Sequence, residues 1–264
     1  MTTDTSSSNP LRVERDGAIV TLVFNRPQAL NAINVPMAQA LLVALQDIAQ
    51  DDSVRALVLR GEGRAFMAGG DLVTLQRDPV GGVDALLEPL NQAMLLLAGL
   101  NAPVIAQVQG AAAGAGLSLM LQADFVLAAE GAKFNLAYIN LGASCDVGAS
   151  WSLPRWVGLR RALEISLLGE TLNATQAQQM GLINRALPAE ALETAVLQLA
   201  RRLADGPTQA LGHMRRLMRA SLETDLKTQL GAEWQAFRAC AQTDDLRAGI
   251  DAFFQKQPAR FTGR

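Results

Sequence analysis

Two glycine-rich segments constrain this chain more than any other feature: Arg64 to Leu72 (RAFMAGGDL) and Val108 to Leu117 (VQGAAAGAGL). Each follows an apolar, β-branched run, Val54–Arg60 and Pro103–Val108, that reads as a buried strand. The second opens directly into an apolar, helix-like stretch, Leu117 to Gln122. Glycine and alanine let the backbone approach a ligand closely, and the N–H groups at a helix start are unpaired and carry partial positive charge. Two such turns facing each other present two N–H donors to one oxygen, which is how an oxyanion hole is built. Gly/Ala turns also join strands to helices throughout α/β proteins, so either segment alone reads as structural. Neither matches G-x-x-x-x-G-K-[ST], and no G-x-G-x-x-G opens a βαβ unit with an acidic residue about 20 positions on. A nucleotide phosphate loop is therefore a poor account of both.

The rest of the chain predicts an α/β core followed by helices. Leu11–Glu14 and Ala18–Phe24 read as a hairpin around Asp16-Gly17. Met37, Leu41, Leu45 and Ile48 share one face of a helix over 35–50, and 84–100 is a second, unusually apolar helix. Strands at 54–59, 104–108 and 124–128 alternate with helices, which implies βαβ units and a mainly parallel sheet. Beyond Asn173 the pattern is helical, with helices expected at 191–204, 207–220, 225–241 and 245–256.

Composition excludes several classes of function. The 264 residues are 50% hydrophobic with a net charge of −2, which suits one large globular domain and no nucleic-acid footprint. No apolar run approaches the roughly 18–20 residues of a membrane span. Two cysteines, Cys145 and Cys240, point to a reducing, cytoplasmic setting without a disulfide framework. The single histidine, His213, and the absence of CxxC leave no metal pattern. Thr2 to Asn9 is polar without an apolar core, so residues 1–10 read as a disordered tail rather than a secretory signal.

The paired segments resemble the signature of the crotonase (enoyl-CoA hydratase/isomerase) superfamily. Asn25–Ala32 resembles its N-R-P-x-x-x-N-A segment, Leu153–Gly158 with Arg161-Ala162 its L-x-R-x-x-G…A stretch, and Ala177–Ile183 its A-x-x-x-G-L-V turn. The resemblance runs over roughly residues 11–262. It implies an α/β fold of repeated ββα units with a mainly parallel sheet, a catalytic core over 11–200 and a C-terminal helical segment over 201–264. In the family that segment packs around neighbouring subunits, so a homotrimer or a dimer of trimers is expected.

The resemblance further implies an acyl-CoA thioester as ligand, with coenzyme A part of the substrate and no separate cofactor. Its carbonyl oxygen would accept hydrogen bonds from the amides of Gly70 and Ala115. Ala68, Asp71 and Leu72 would line the CoA groove, Arg26 would meet the CoA phosphate or adenine, and Tyr138 would border the acyl group. Read as a residue alone, Asp71 is a helix N-cap.

The acids decide the reaction. The family's hydratases use two glutamates, whose positions here hold Ser118 and Tyr138. Neither is a carboxylate base at neutral pH. Asp146, eight residues beyond Tyr138, resembles the acid of single-acid members, especially the phenylacetyl-CoA ring-epoxide isomerase and 4-chlorobenzoyl-CoA dehalogenase branches. Read alone, Asp146 is an N-cap for a following helix. The dehalogenase histidine and tryptophan positions hold Asn91 and Tyr138, which weakens that reading. The expected activity is thus isomerisation through a thioester enolate, with Asp146 moving the proton. The alternatives are a hydratase with an atypical acid/base set and a non-catalytic binding protein of the same fold. Expected pocket walls are Phe66, Leu90, Met94, Leu95, Leu136, Tyr138 and Trp151, with Cys145 a thiol beside them.

Overall fold

The computed structural model describes residues 9–264, so most of the expected N-terminal tail lies outside the described residues. Strands β1 (Leu11–Asp16) and β2 (Ile19–Phe24) form the expected hairpin, followed by helix α1 (Val35–Ala49), β3 (Ala56–Gly61), α2 (Leu72–Arg77) and α3 (Pro79–Gly99). Two ββα units come next. The first is β4 (Val104–Val108), β5 (Ala111–Ala113) and α4 (Ala115–Met120); the second is β6 (Phe125–Ala129), β7 (Lys133–Asn135) and α5 (Ala149–Val157). In each unit the first strand joins a six-stranded sheet, ordered β1-β2-β3-β4-β6 and then Arg185–Leu187, and the second joins a small sheet, ordered β5-β7 and then Leu172–Asn173. Helix α6 (Leu159–Leu168), β8 (Leu172–Asn173), α7 (Ala174–Gln179) and β9 (Arg185–Leu187) complete the core. Helices α8 (Ala189–Ala204), α9 (Thr208–Ala220), α10 (Leu226–Cys240) and α11 (Asp244–Gln255) follow.

The large sheet is parallel except for its first pair, and both of its faces are covered. That is why its central strands read as continuous apolar runs. Alternate residues serve different layers. Leu57 and Leu59 join the main core, with α1, α3 and α4, while Ala56, Val58, Ile105 and Leu127 meet α8 on the other face. Leu192, Val196, Ala200 and Ala204 of α8, spaced four apart, cover that second face. A domain boundary placed at residue 200 thus falls inside a helix that belongs to the sheet's packing.

Helix α9 is fastened to the end of the sheet by charge. Asp124 accepts from Arg215 at 2.6 Å and Arg219 at 3.0 Å, and Arg219 also donates to the Gln122 carbonyl at 2.7 Å. The last two helices leave Leu226, Trp234, Phe237, Phe253 and Phe254 exposed. Among the described residues no helix is long and apolar enough to cross a membrane.

Candidate active site

The first glycine segment is threaded between two neighbours. On one side Phe66 and Met67 donate to the Ala111 carbonyl, both at 3.0 Å, and Ala113 donates to Met67 at 2.9 Å. On the other, Ile33 donates to Gly69 and accepts from Asp71, both at 2.8 Å. This parallel bridge uses residues 69 and 71, so the amide of Gly70 faces the opposite way. Ala115 is the first residue of α4, where helix geometry leaves the N–H without an internal acceptor. Among the described residues neither amide has a backbone acceptor. The two turns touch: a Cβ on Gly114 would sit 3.5 Å from the Gly69 Cα, and one on Gly116 would overlap the Met67 carbonyl. Glycine at 116 is what lets α4 start this close to the first segment.

Gly70 and Ala115 line one cavity of about 420 Å3. Its walls are mostly aliphatic: Leu72 and Leu75 of α2, Leu86, Leu87 and Leu90 of α3, and Leu141. Ala68, Tyr138, Cys145 and Asp146 also line it. Of the walls expected from sequence, Leu90 and Tyr138 are present. Phe66 is instead a core residue, edge-to-face on Phe24 at 5.6 Å. Met94 and Leu136 are buried in the main core, while Leu95 and Trp151 point to the surface. Helix α3 is apolar on several faces, so its sequence does not tell the cavity side from the core side. His213 lies on α9, apart from this cavity.

Among the described residues Asp146 is the one carboxylate lining the cavity, and no lysine, arginine or histidine lines it. Its side chain caps no helix. The N-cap of α5 is Gly148, and only the Asp146 carbonyl reaches that helix, accepting from Ala149 at 3.1 Å. The chain passes Val147 and Gly148 at φ of 51° and 76°, so it cannot fold the carboxylate back onto the helix start. A β-branched residue in the left-handed region stores about 1–3 kcal/mol, held here by the burial of Val147. The carboxylate instead accepts a short hydrogen bond from the Tyr138 hydroxyl, which lies 3.0 Å from Ser118 Oγ. A carboxylate only accepts, so Tyr138 donates to Asp146, and the single Ser118 hydroxyl proton is shared between the Tyr138 oxygen and the Gly114 carbonyl, 3.2 Å from Ser118 Oγ. The two positions that lack glutamate thus form a hydroxyl chain ending on the aspartate, a contact that sequence spacing gave no sign of.

Burial raises the Asp146 carboxyl above its ordinary range, and the Tyr138 hydrogen bond pulls it partly back. Burial first, then the charge of Asp146, push the Tyr138 phenol above its own range, so it stays protonated and remains a donor. Asp146 is therefore a carboxylate poised to take up a proton, in a mostly apolar cavity that also holds two unpartnered amides.

Asp71 is the N-cap of α2, as its residue type predicts, accepting from Val73 at 3.1 Å. Its other oxygen takes Arg26 at 2.9 Å, and Arg26 also donates to the Ala32 carbonyl at 2.5 Å. The pair is half-buried and outside the cavity lining, so it fixes the start of the α2 wall. Asn31, at φ 58° and fully buried, explains the early motif: it donates to the Glu62 and Ala65 carbonyls, both at 2.9 Å, holding the first glycine segment in place.

The chain is similar to known enzymes along nearly its whole length. The Enoyl-CoA hydratase/isomerase family model matches residues 14–264. The 1,2-epoxyphenylacetyl-CoA isomerase of Escherichia coli K12 is 40% identical over 253 residues, covering 93% of this chain and 95% of that protein. The 2,3-dehydroadipyl-CoA hydratase of the same organism is 37% identical, covering 96% and 99%. The crystal structure of an enoyl-CoA hydratase from Mycobacterium smegmatis superposes with a TM-score of 0.91 at 32% identity, covering 96% of this chain and 99% of that one. A family match over nearly the whole chain, relatives of this identity and a shared fold together establish that the chain belongs to the enoyl-CoA hydratase/isomerase family, within the crotonase superfamily.

Proposed function

We propose that this enzyme isomerises an acyl-CoA thioester, by double-bond shift or ring rearrangement, through an enolate. Asp146 takes a proton from a carbon of the acyl group, and the electron pair moves onto the thioester oxygen. The amides of Gly70 and Ala115 bind that oxygen as it becomes negative. The pair then returns, and Asp146 delivers the proton to a different carbon. The observation that carries this reading is that Asp146 is the sole carboxylate on the cavity among the described residues. Activating water by the two-acid route needs a second carboxylate, and Ser118 and Tyr138 hold those positions. The enzyme needs no cofactor beyond the CoA its substrate carries. Two free cysteines support a cytoplasmic setting. The exposed aromatic residues of α10 and α11 support assembly into a homotrimer or a dimer of trimers, which light scattering measures directly.

The test is a panel of enoyl- and aryl-CoA thioesters incubated in deuterated water and read by mass spectrometry. Isomerisation exchanges hydrogen for deuterium without net addition, whereas hydration adds one water. The panel should include a pair of equal chain length, one member ending in a second carboxylate. Among the described residues no cation lines the cavity, so a buried second carboxylate meets no cationic partner there and faces Asp146. Its kcat/KM is expected to be at least about 10²-fold lower than that of the uncharged acyl group. Addition of water as the main product overturns the isomerase reading.

The pH profile provides a further test. Asp146 must be ionised to accept a proton, so exchange should rise with pH through a midpoint above the ordinary carboxylate range. Tyr138→Phe removes a hydrogen bond that favours the ionised form. Its midpoint is expected to move up by about one unit. A midpoint that stays put or moves down removes Tyr138 from this role.

A further inference from the structure

Helix α4 and the turn that leaves it touch the proposed chemistry at three points. Ala115 stands at its start, Ser118 in its middle, and Gln122 two residues past its end. Gln122 is 6% exposed, and its side chain reaches into the turn that carries Asp146. Its Nε2 donates to the Val147 carbonyl at 3.1 Å and to Ser152 Oγ at 3.0 Å, with the Ser118 carbonyl at 3.3 Å. Two of these neighbours are carbonyls, which only accept, so the amide nitrogen and not its oxygen must face them. The packing is close: a Cβ on Gly148 would lie 3.0 Å from this nitrogen. The backbone of Gln122 is itself anchored, its carbonyl accepting from Arg219 of α9.

The group Gln122 holds is an unusual one. Val147 directly follows Asp146 and sits at φ 51°, a conformation that a β-branched residue adopts only when its surroundings impose it. The amide bonds the carbonyl of that same residue, and so restrains the Val147–Gly148 peptide, one peptide on from Asp146. We propose that Gln122 is a positioning residue: through the Val147 carbonyl it holds the Asp146 carboxylate at a fixed distance from the Ala115 amide, so that acid and oxyanion donor are set by one short helix and the turn that leaves it. This rests on Asp146 being the proton acceptor, as proposed above.

The test is Gln122→Met, which keeps the length of the side chain and removes the amide. Misplacing a reacting group by about 1 Å slows a reaction by up to about 10²-fold, so kcat for deuterium exchange is expected to fall at least about tenfold. The oxyanion amides are untouched, so KM, and the calorimetric Kd for acetoacetyl-CoA, should change less than about threefold. Wild-type kcat in the folded variant, or a loss confined to KM, overturns the proposal. Should that variant fail to fold, Ser152→Ala removes one of the groups that orient the amide. A two- to fivefold loss of kcat, in order of magnitude, at unchanged KM is then expected, and wild-type kcat overturns the proposal. Asp146→Asn, measured alongside, separates the two levels. Wild-type exchange in Asp146→Asn removes the underlying reading. Loss there, with wild-type exchange in Gln122→Met, removes the positioning role alone.

Discussion

Asp146→Asn is expected to slow solvent-deuterium exchange into the acyl group by at least about 10²-fold while leaving the protein folded. The substitution keeps size and shape but cannot accept a proton from carbon at neutral pH. Its amide oxygen still accepts from Tyr138, so that hydroxyl keeps its partner. No helix loses a cap, because the Asp146 side chain caps none. Stability should hold or rise. The carboxyl is raised in the folded state by burial, so the fold disfavours its charged form, and this penalty grows as pH rises past the ordinary carboxylate range. A neutral asparagine removes the penalty, and the melting temperature at pH 7 should therefore be unchanged or higher. Ser118→Ala is the control. It shortens the hydroxyl chain without touching the carboxylate, and its effect should stay within about tenfold. If Asp146→Asn exchanges at the wild-type rate while Tyr138→Phe abolishes exchange, the base is not Asp146, and tyrosinate or water chemistry takes its place.

The sequence made the large elements legible because each has a strong period or a bounded apolar run. Helix α1 is found within a residue, and β4 without error. The small sheet was not legible. Its strand β5 is three alanines inside a glycine-rich segment, and β7 and β8 are three and two residues long, too short for any alternation to show. The cavity residues divide in the same way. Gly70, Ala115 and Asp146 belong to local motifs, and all three line one cavity. The walls depend on which side of α2 and α3 faces the cavity, and that is settled by tertiary packing. Asp146 shows both outcomes at once. Its place at the cavity follows from the motif, but its expected cap is absent because Val147 and Gly148 turn left-handed before the helix begins. The tether from Gln122 to that turn links residues 25 positions apart, and nothing in either segment's pattern announces it.

Gly70→Pro is expected to lower kcat by about 10²–10³ in a protein that still folds. Proline removes the backbone N–H and fixes φ near −65°. At most positions in this core such a change would break a ladder bond. Here the bridge to Ile33 uses the Gly69 carbonyl and the Asp71 amide, so the donor lost is one the fold does not use. There is also room, since a Cβ at this position meets nothing within 4 Å. Proline restricts the residue before it, but that residue is Gly69, already at φ 112° and the type best able to adapt. Gly70→Ala separates the two consequences of the change. It adds the Cβ and keeps the N–H, so it should alter KM through crowding of the cavity while kcat stays within a few-fold of wild type, on the order of threefold. A large kcat loss in the proline variant alone identifies the amide as the group that matters in the transition state. Equal losses in both variants would point to crowding. Wild-type turnover in a folded Gly70→Pro protein would remove Gly70 from the oxyanion hole, leaving the Ala115 amide without its partner.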